Sequence, residues 1–138
     1  MNTQLEQNKA IVRYFNKELI EKGNIALEGD LFDPEFINHS APDSSKSGSK
    51  EMLYTFNEIL RPAFPDLKVT IYNQVAEGDL VTTRKVITGT HTGELFGIAP
   101  TGKKVEINVI DMVRIRADKY YEHWGVNTLA SVIGELKK

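Results

Sequence analysis

Asp111 is the only charged residue in the alternating series Val105, Ile107, Val109, Asp111, Val113 and Ile115, which a period of two places on one face of a strand. A carboxylate in that face loses hydration, which raises its pKa unless a donor holds the ionised form. A raised pKa suits a general acid or base working near neutrality; the alternative is a structural aspartate bonded to backbone or to a histidine. His123 stands in the next alternating stretch, KYYEHWGV from Lys119 to Val126, where Tyr121 and His123 share one face and Tyr120, Glu122 and Trp124 the other. Antiparallel pairing through a turn at Ala117-Asp118 sets Tyr121 and His123 opposite residues 111 to 114. An Asp111–His123 pair is then feasible, and one residue of register slip breaks it. In such a pair the carboxylate fixes the imidazole tautomer and leaves the other nitrogen to a substrate; a half-buried, satisfied histidine is the alternative. These two residues are the candidate catalytic groups.

Around them stand candidate binding residues. His39 and Asn38 lie where the chain leaves an apolar segment, Phe36-Ile37, at what would be a pocket rim. His91 falls near a strand end, on the face of Lys85, Ile87 and Gly89. Tyr14 on the first helix is placed to reach the cavity through its hydroxyl, with core packing at helical spacing the competing role. Tyr121 and Trp124 complete the set, with core or interface packing the competing role for Trp124. Other signals fail. Gly97 to Lys103, GIAPTGK, imitates a phosphate loop, but Lys104 replaces the required Ser/Thr, Pro100 interrupts it and a strand follows. The three histidines show no metal-ligand spacing, so no metal is expected. No G-x-S-x-G nucleophile elbow exists.

The elements that must hold these groups are legible from periodicity. Leu5, Val12, Phe15 and Leu19 recur at helical spacing behind a Thr3/Glu6 capping box, up to Gly23. A short helix is expected over Ile25 to Glu28. An irregular serine-rich loop runs from Ala41 to Ser49, and a third helix carries Met52, Leu53, Phe56, Ile59 and Leu60 up to Pro62. From Leu67 the period changes to two, with strands at 67–76, 79–91, 103–116 and 119–126 and a short helix over Leu129 to Leu136. Short turns between neighbouring strands imply an antiparallel sheet with helices on one face, an α+β layer. At 138 residues the chain makes one domain, 1–138. A net charge of −2 with scattered lysines and arginines gives no footprint for nucleic acid. The absence of cysteine excludes thiolate chemistry. No membrane-length apolar run or leader pattern appears, so a cytoplasmic protein with no membrane partner is expected.

Asn38-His39, Phe64-Pro65-Asp66, GTHTGE at 89–94, GIAPTGK at 97–103, Ile110-Asp111 and Glu122-His123-Trp124 resemble, in order and over almost the whole chain, the SnoaL-like polyketide cyclases, or ester cyclases, of the nuclear-transport-factor-2-like superfamily. The resemblance implies a curved antiparallel sheet wrapped by N-terminal helices into a cone, a pocket at its open end and a homodimer through the sheet. It implies intramolecular aldol cyclisation, or a related isomerisation, of a small apolar carbonyl compound, with a carboxylate moving protons and no cofactor. A hydrolase or dehydratase, and a non-catalytic binding or dimeric accessory module, are the alternatives on the same fold. In members similar to the cyclases an aspartate commonly follows the His-Trp pair as the implied acid/base. Here that position is Gly125, Thr128 stands where a further Asp is common, and Ala117-Asp118 replaces the usual turn glycine.

Overall fold

Alternating inward apolar residues from Lys68 onward pair into a sheet whose ladders carry register shifts. The computed structural model describes residues 3–41 and 48–138. Helix α1 (Thr3–Phe15) continues as a π-helical turn, Asn16–Glu21, and a 3-10 turn, Ile25–Leu27, leads into α2 (Glu28–Leu31). Strand β1 (Phe32–Asn38) follows. Helix α3 (Ser49–Tyr54) passes through a second π-helical turn, Thr55–Leu60, into α4 (Arg61–Ala63). The chain ends in β2 (Lys68–Glu77), β3 (Leu80–Thr90), β4 (Lys104–Arg116), β5 (Lys119–Asn127) and α5 (Leu129–Leu136). None of the described helices is long and apolar enough to cross a membrane.

The sheet order is β1-β5-β4-β3-β2, antiparallel except for β1, which runs parallel to β5. That edge strand was not evident from the sequence, because Pro34 and the exposed Glu35 obscure its alternation, and an edge is where proline is tolerated. Pro62 likewise does not end the third helix: it stands just after the π-helical turn, and the helical run continues through it to Ala63. The expected loop Ala41 to Ser49 falls mostly outside the described residues.

Helices α1 to α4 cover the concave face, so the sheet is curved, unclosed and mostly antiparallel. The core joins Val12, Phe15, Leu19 and Ile20 to Ile107, Val113, Ile115 and Tyr120. Phe15 stacks flat on Tyr120, with centroids 3.8 Å apart. Bulges bend the sheet: Tyr72 is the extra residue of β2 opposite β3, Tyr121 that of β5 opposite Arg114–Ile115, and the β1–β5 ladder shifts register between Phe32 and Ile37. The GTHTGE stretch has a packing reason: a Cβ on Gly89 would stand 2.6 Å from that of Phe64, so only glycine lets β3 approach the end of α4.

Candidate functional site

Pairing register aligns one polar residue from each of three adjacent strands. Asp111 on β4 faces Thr83 on β3 and Gly125 on β5, while Lys85 faces Val109 and His123 faces Val113. Lys85, Asp111 and His123 are therefore diagonal neighbours, close enough for long side chains to meet. Lys85 Nζ donates to Asp111 Oδ2 at 3.1 Å, and His123 Nε2 lies 3.3 Å from the same oxygen. Both Lys85 and Asp111 are buried, with 6% and 7% of their side chains exposed. On the helical side, Lys85 Nζ also donates to Asn16 Oδ1 at 2.5 Å, and Asn16 itself is anchored to the Val12 carbonyl at 2.9 Å.

His123 is gripped from its other side by the end of β1. Asn38 Oδ1 accepts the Ser40 backbone N–H at 3.2 Å and the Ser40 hydroxyl at 2.7 Å, which fixes that atom as the oxygen. His123 Nδ1 lies 2.8 Å from it and 3.3 Å from Ser40 Oγ. Both ring nitrogens thus face oxygen atoms. Burial raises the pKa of Asp111, but the Lys85 charge and the His123 hydrogen bond and charge outweigh it and hold the carboxyl below its ordinary value. The sequence reasoning left that donor-held state open; here the donors win. Asp111 Oδ1 is buried and has no partner among the described residues.

These groups form one wall of a cavity of about 530 Å³ between sheet and helices. Its other walls are mostly apolar, built from Phe15, Ile20, Met52, Phe56, Leu60, Ile107 and Leu129, with Glu51, Thr55 and Asn127 also lining it. Tyr120 lines it too, and burial, followed by the Asp111 charge, pushes its phenol well above its ordinary pKa, so it stays a neutral O–H donor. Both π-helical turns contribute to this lining, the first through Ile20 and the second through Thr55 and Phe56. Another hollow, about 570 Å³ beside α2, β1 and α3, is open to solvent and holds no comparable buried charge cluster among the described residues. Among the described residues no group of His, Asp and Glu side chains is arranged to hold a metal ion.

The profile of the SnoaL-like polyketide cyclases matches residues 10–136. The chain belongs to that family. AclR from Streptomyces galilaeus, a candidate hydroxylase, has the same fold with a TM-score of 0.84 at 25% identity, covering 96% of this chain and 82% of AclR. IdmH from Streptomyces antibioticus, a candidate polyketide cyclase, gives 0.83 at 25% identity, covering 96% and 99%. TsrD from Streptomyces laurentii, 20% identical, shares the fold with a TM-score of 0.80 over 95% of both chains. No functionally curated protein matches the chain significantly.

In this SnoaL-like chain the carboxylate at the cavity wall comes from β4 rather than from position 125. A Cβ on Gly125 would meet His123 Cε1 at 3.0 Å and Asp111 Cβ at 3.3 Å, so the Asp111–His123 pair fills the space a side chain there would enter. Of the expected site residues, Asp111, His123 and Asn38 come together at the cavity. The others do not. Tyr121 is the extra residue of the β4–β5 bulge, which returns Tyr120 to the inner face and leaves the Tyr121 ring under the Arg116 guanidinium, 3.6 Å away. Trp124 pairs with Met112 on the outer face and stacks on His39 at 4.8 Å. His39 alternates outward from Asn38 and bonds Glu122 Oε2 at 2.8 Å. That bond and Arg114, working against burial, hold Glu122 below its ordinary pKa. His91 is fully buried away from the cavity, its Nδ1 accepting the Thr101 N–H at 3.2 Å. Tyr14 is half exposed on the outside of α1.

Lys85, Asn16 and Tyr120 were missed. Lys85 interrupts the inward series Val81, Thr83, Lys85, Ile87 just as Asp111 interrupts its own, so the same signal could have found it. Tyr120 was hidden by the bulge. Asn16 carries no sequence signal, since only its partner distinguishes it from a solvated helix residue.

Proposed function

We propose that the protein catalyses cofactor-independent proton transfer on a small apolar carbonyl compound, closing a ring by aldol addition or isomerising it. One observation carries the reading: an ionised, buried carboxylate with an unpartnered oxygen, Asp111 Oδ1, in the wall of an apolar cavity. A carbon between two carbonyls is already acidic, so the protein need only fold the chain, exclude water and place one base. Asp111 removes the proton. Lys85 and His123 keep that carboxylate ionised and offset negative charge as the enolate forms, and Tyr120 donates its O–H to a carbonyl oxygen. Asn38 and Ser40 hold the imidazole in place. The cavity volume falls in the range of small-molecule sites, which suits a compact apolar body with its oxygens toward Asp111.

The test is ring closure of apolar polycarbonyl compounds, followed by NMR. The wild-type chain is expected to turn over, with loss of about 10²–10⁴-fold in Asp111→Ala and in His123→Ala. Retention of ligand without turnover identifies a binding module instead. Turnover of epoxides or alkenes identifies a hydrolase or dehydratase. The outer sheet face supports a second proposal, a homodimer: Val75, Thr82, Met112 and Trp124 form one row across four strands, with Ile110 and Tyr72 exposed beside it.

A further inference from the structure

We propose that Lys85 is a nucleophile that condenses with the substrate carbonyl, so that the cavity works through a covalent iminium and enamine. The proposal deepens the reading above and rests on Asp111 as its base.

The arrangement has the three parts an activated nucleophile requires: the nucleophile, a base in hydrogen-bond reach and a group that orients the base. Lys85 Nζ lies 3.1 Å from Asp111 Oδ2, and His123 Nε2 lies 3.3 Å from that oxygen. Asn16 holds the amine from the helical side, at 2.5 Å. The lysine sits in the cavity wall with Ile87, Ile107 and Val109 around it, 6% exposed as a side chain. A buried ion pair is a poor device for stability, because desolvation of both charges offsets their attraction. Setting one into the wall of an apolar cavity calls for chemical use of the amine as well as of the carboxylate.

The charged pair is the resting form; the ammonium passes a proton transiently to Asp111 as the amine adds to the carbonyl carbon, giving a carbinolamine. The carbinolamine oxygen takes up a proton, with Tyr120 as donor, and leaves as water while the C–N double bond forms. Asp111, having returned its proton to the leaving oxygen or to Tyr120, then takes the α-hydrogen, and the electron pair moves onto the iminium nitrogen to give the enamine. That carbon attacks a second carbonyl, whose oxygen takes the proton from Asp111, and water hydrolyses the resulting iminium to free Lys85 as the ammonium. An iminium acidifies an α-carbon that one ketone alone does not, so singly activated ketones become substrates.

Benzylacetone, an apolar monoketone, is the probe. With cyanoborohydride, the wild-type chain should gain a single probe as a secondary amine, and peptide mapping should place it on Lys85. In deuterium oxide the same chain should exchange the probe's α-hydrogens. Lys85→Arg keeps a cation but forms no imine, and should lose both the adduct and the exchange while its circular dichroism is unchanged. Asp111→Asn should lose exchange. If Lys85→Arg exchanges the probe as well as wild type, the covalent proposal is overturned and the acid/base reading stands. If wild type gives no adduct, or labels surface lysines only, while polycarbonyl ring closure proceeds, the covalent proposal alone fails. If ring closure is absent too, both fail.

Discussion

Replacing Lys85 with methionine removes a cation from beside a buried carboxylate while nearly conserving volume, and its consequence can be worked from the ion pair. Removing one member of a buried pair typically costs about 3–5 kcal/mol, because the other charge is left uncompensated. Here His123 Nε2 still faces the same Asp111 oxygen, which argues for the lower end, about 3 kcal/mol. For a chain of this size that corresponds to a fall in Tm of about 10 °C. Asp111 in the variant loses the largest influence holding it ionised, so its pKa rises and the penalty shrinks as pH drops and the carboxyl takes a proton. Adding Asp111→Leu removes the stranded charge, and the double variant should recover most of the loss, since apolar replacement of a buried pair is neutral or stabilising. Thermal and urea melts of wild type, both singles and the double, at pH 7, complete the cycle. A Lys85→Met melt within about 2 °C of wild type, or a double variant no more stable than that single, refutes the buried-pair argument.

Asp33, Asp66, Asp111 and Glu122 each sit below their ordinary pKa, through Arg116, through the Thr90 N–H, through Lys85 and His123 against burial, and through His39 respectively. Each binds fewer protons folded than unfolded, so its stabilisation is complete above the unfolded values of about 4 and disappears as pH falls through the lower folded values. Tm should therefore drop below about pH 4; a loss centred near pH 6 would mean other groups govern acid unfolding. Asn38→Ala should lower kcat with little change in KM, because it frees the His123 ring without narrowing the cavity; an equal rise in KM would place Asn38 against the substrate instead. Gly125→Ala should block approach to Asp111 and His123 and weaken ligand binding, while melting within a few degrees of wild type; undiminished binding would show that guests sit elsewhere. Met112→Glu on the outer face should yield a monomer by sedimentation if two copies pair there, and an unchanged sedimentation coefficient speaks against that pairing.

Strand periodicity made most of the sheet readable, because each buried face forces alternation: the four expected strands agree with β2 to β5 within a residue or two at their ends. Strand β1 escaped because an edge strand buries only Phe32 and Phe36 and includes a proline. The candidate site was legible where a charge broke an apolar series, as at Asp111. It was misread where local geometry changed the face, since the bulge at Arg114–Ile115 exchanges Tyr121 for Tyr120. Asn38 and His39 were found together, but successive residues of a strand point to opposite faces, so one grips His123 inside and the other braces Glu122 outside. The lowered pKa of Asp111 depends on Lys85, and sequence spacing alone does not reveal contacts across strands.

The most direct measurement is deuterium incorporation from solvent into an enolisable, apolar β-keto ester by wild type and by Asp111→Asn, with ligand affinity measured on both. The account predicts comparable binding and a loss of exchange of about 10²–10⁴-fold in the variant. Exchange that survives Asp111→Asn, or tight binding by wild type with no exchange above solvent, would contradict it.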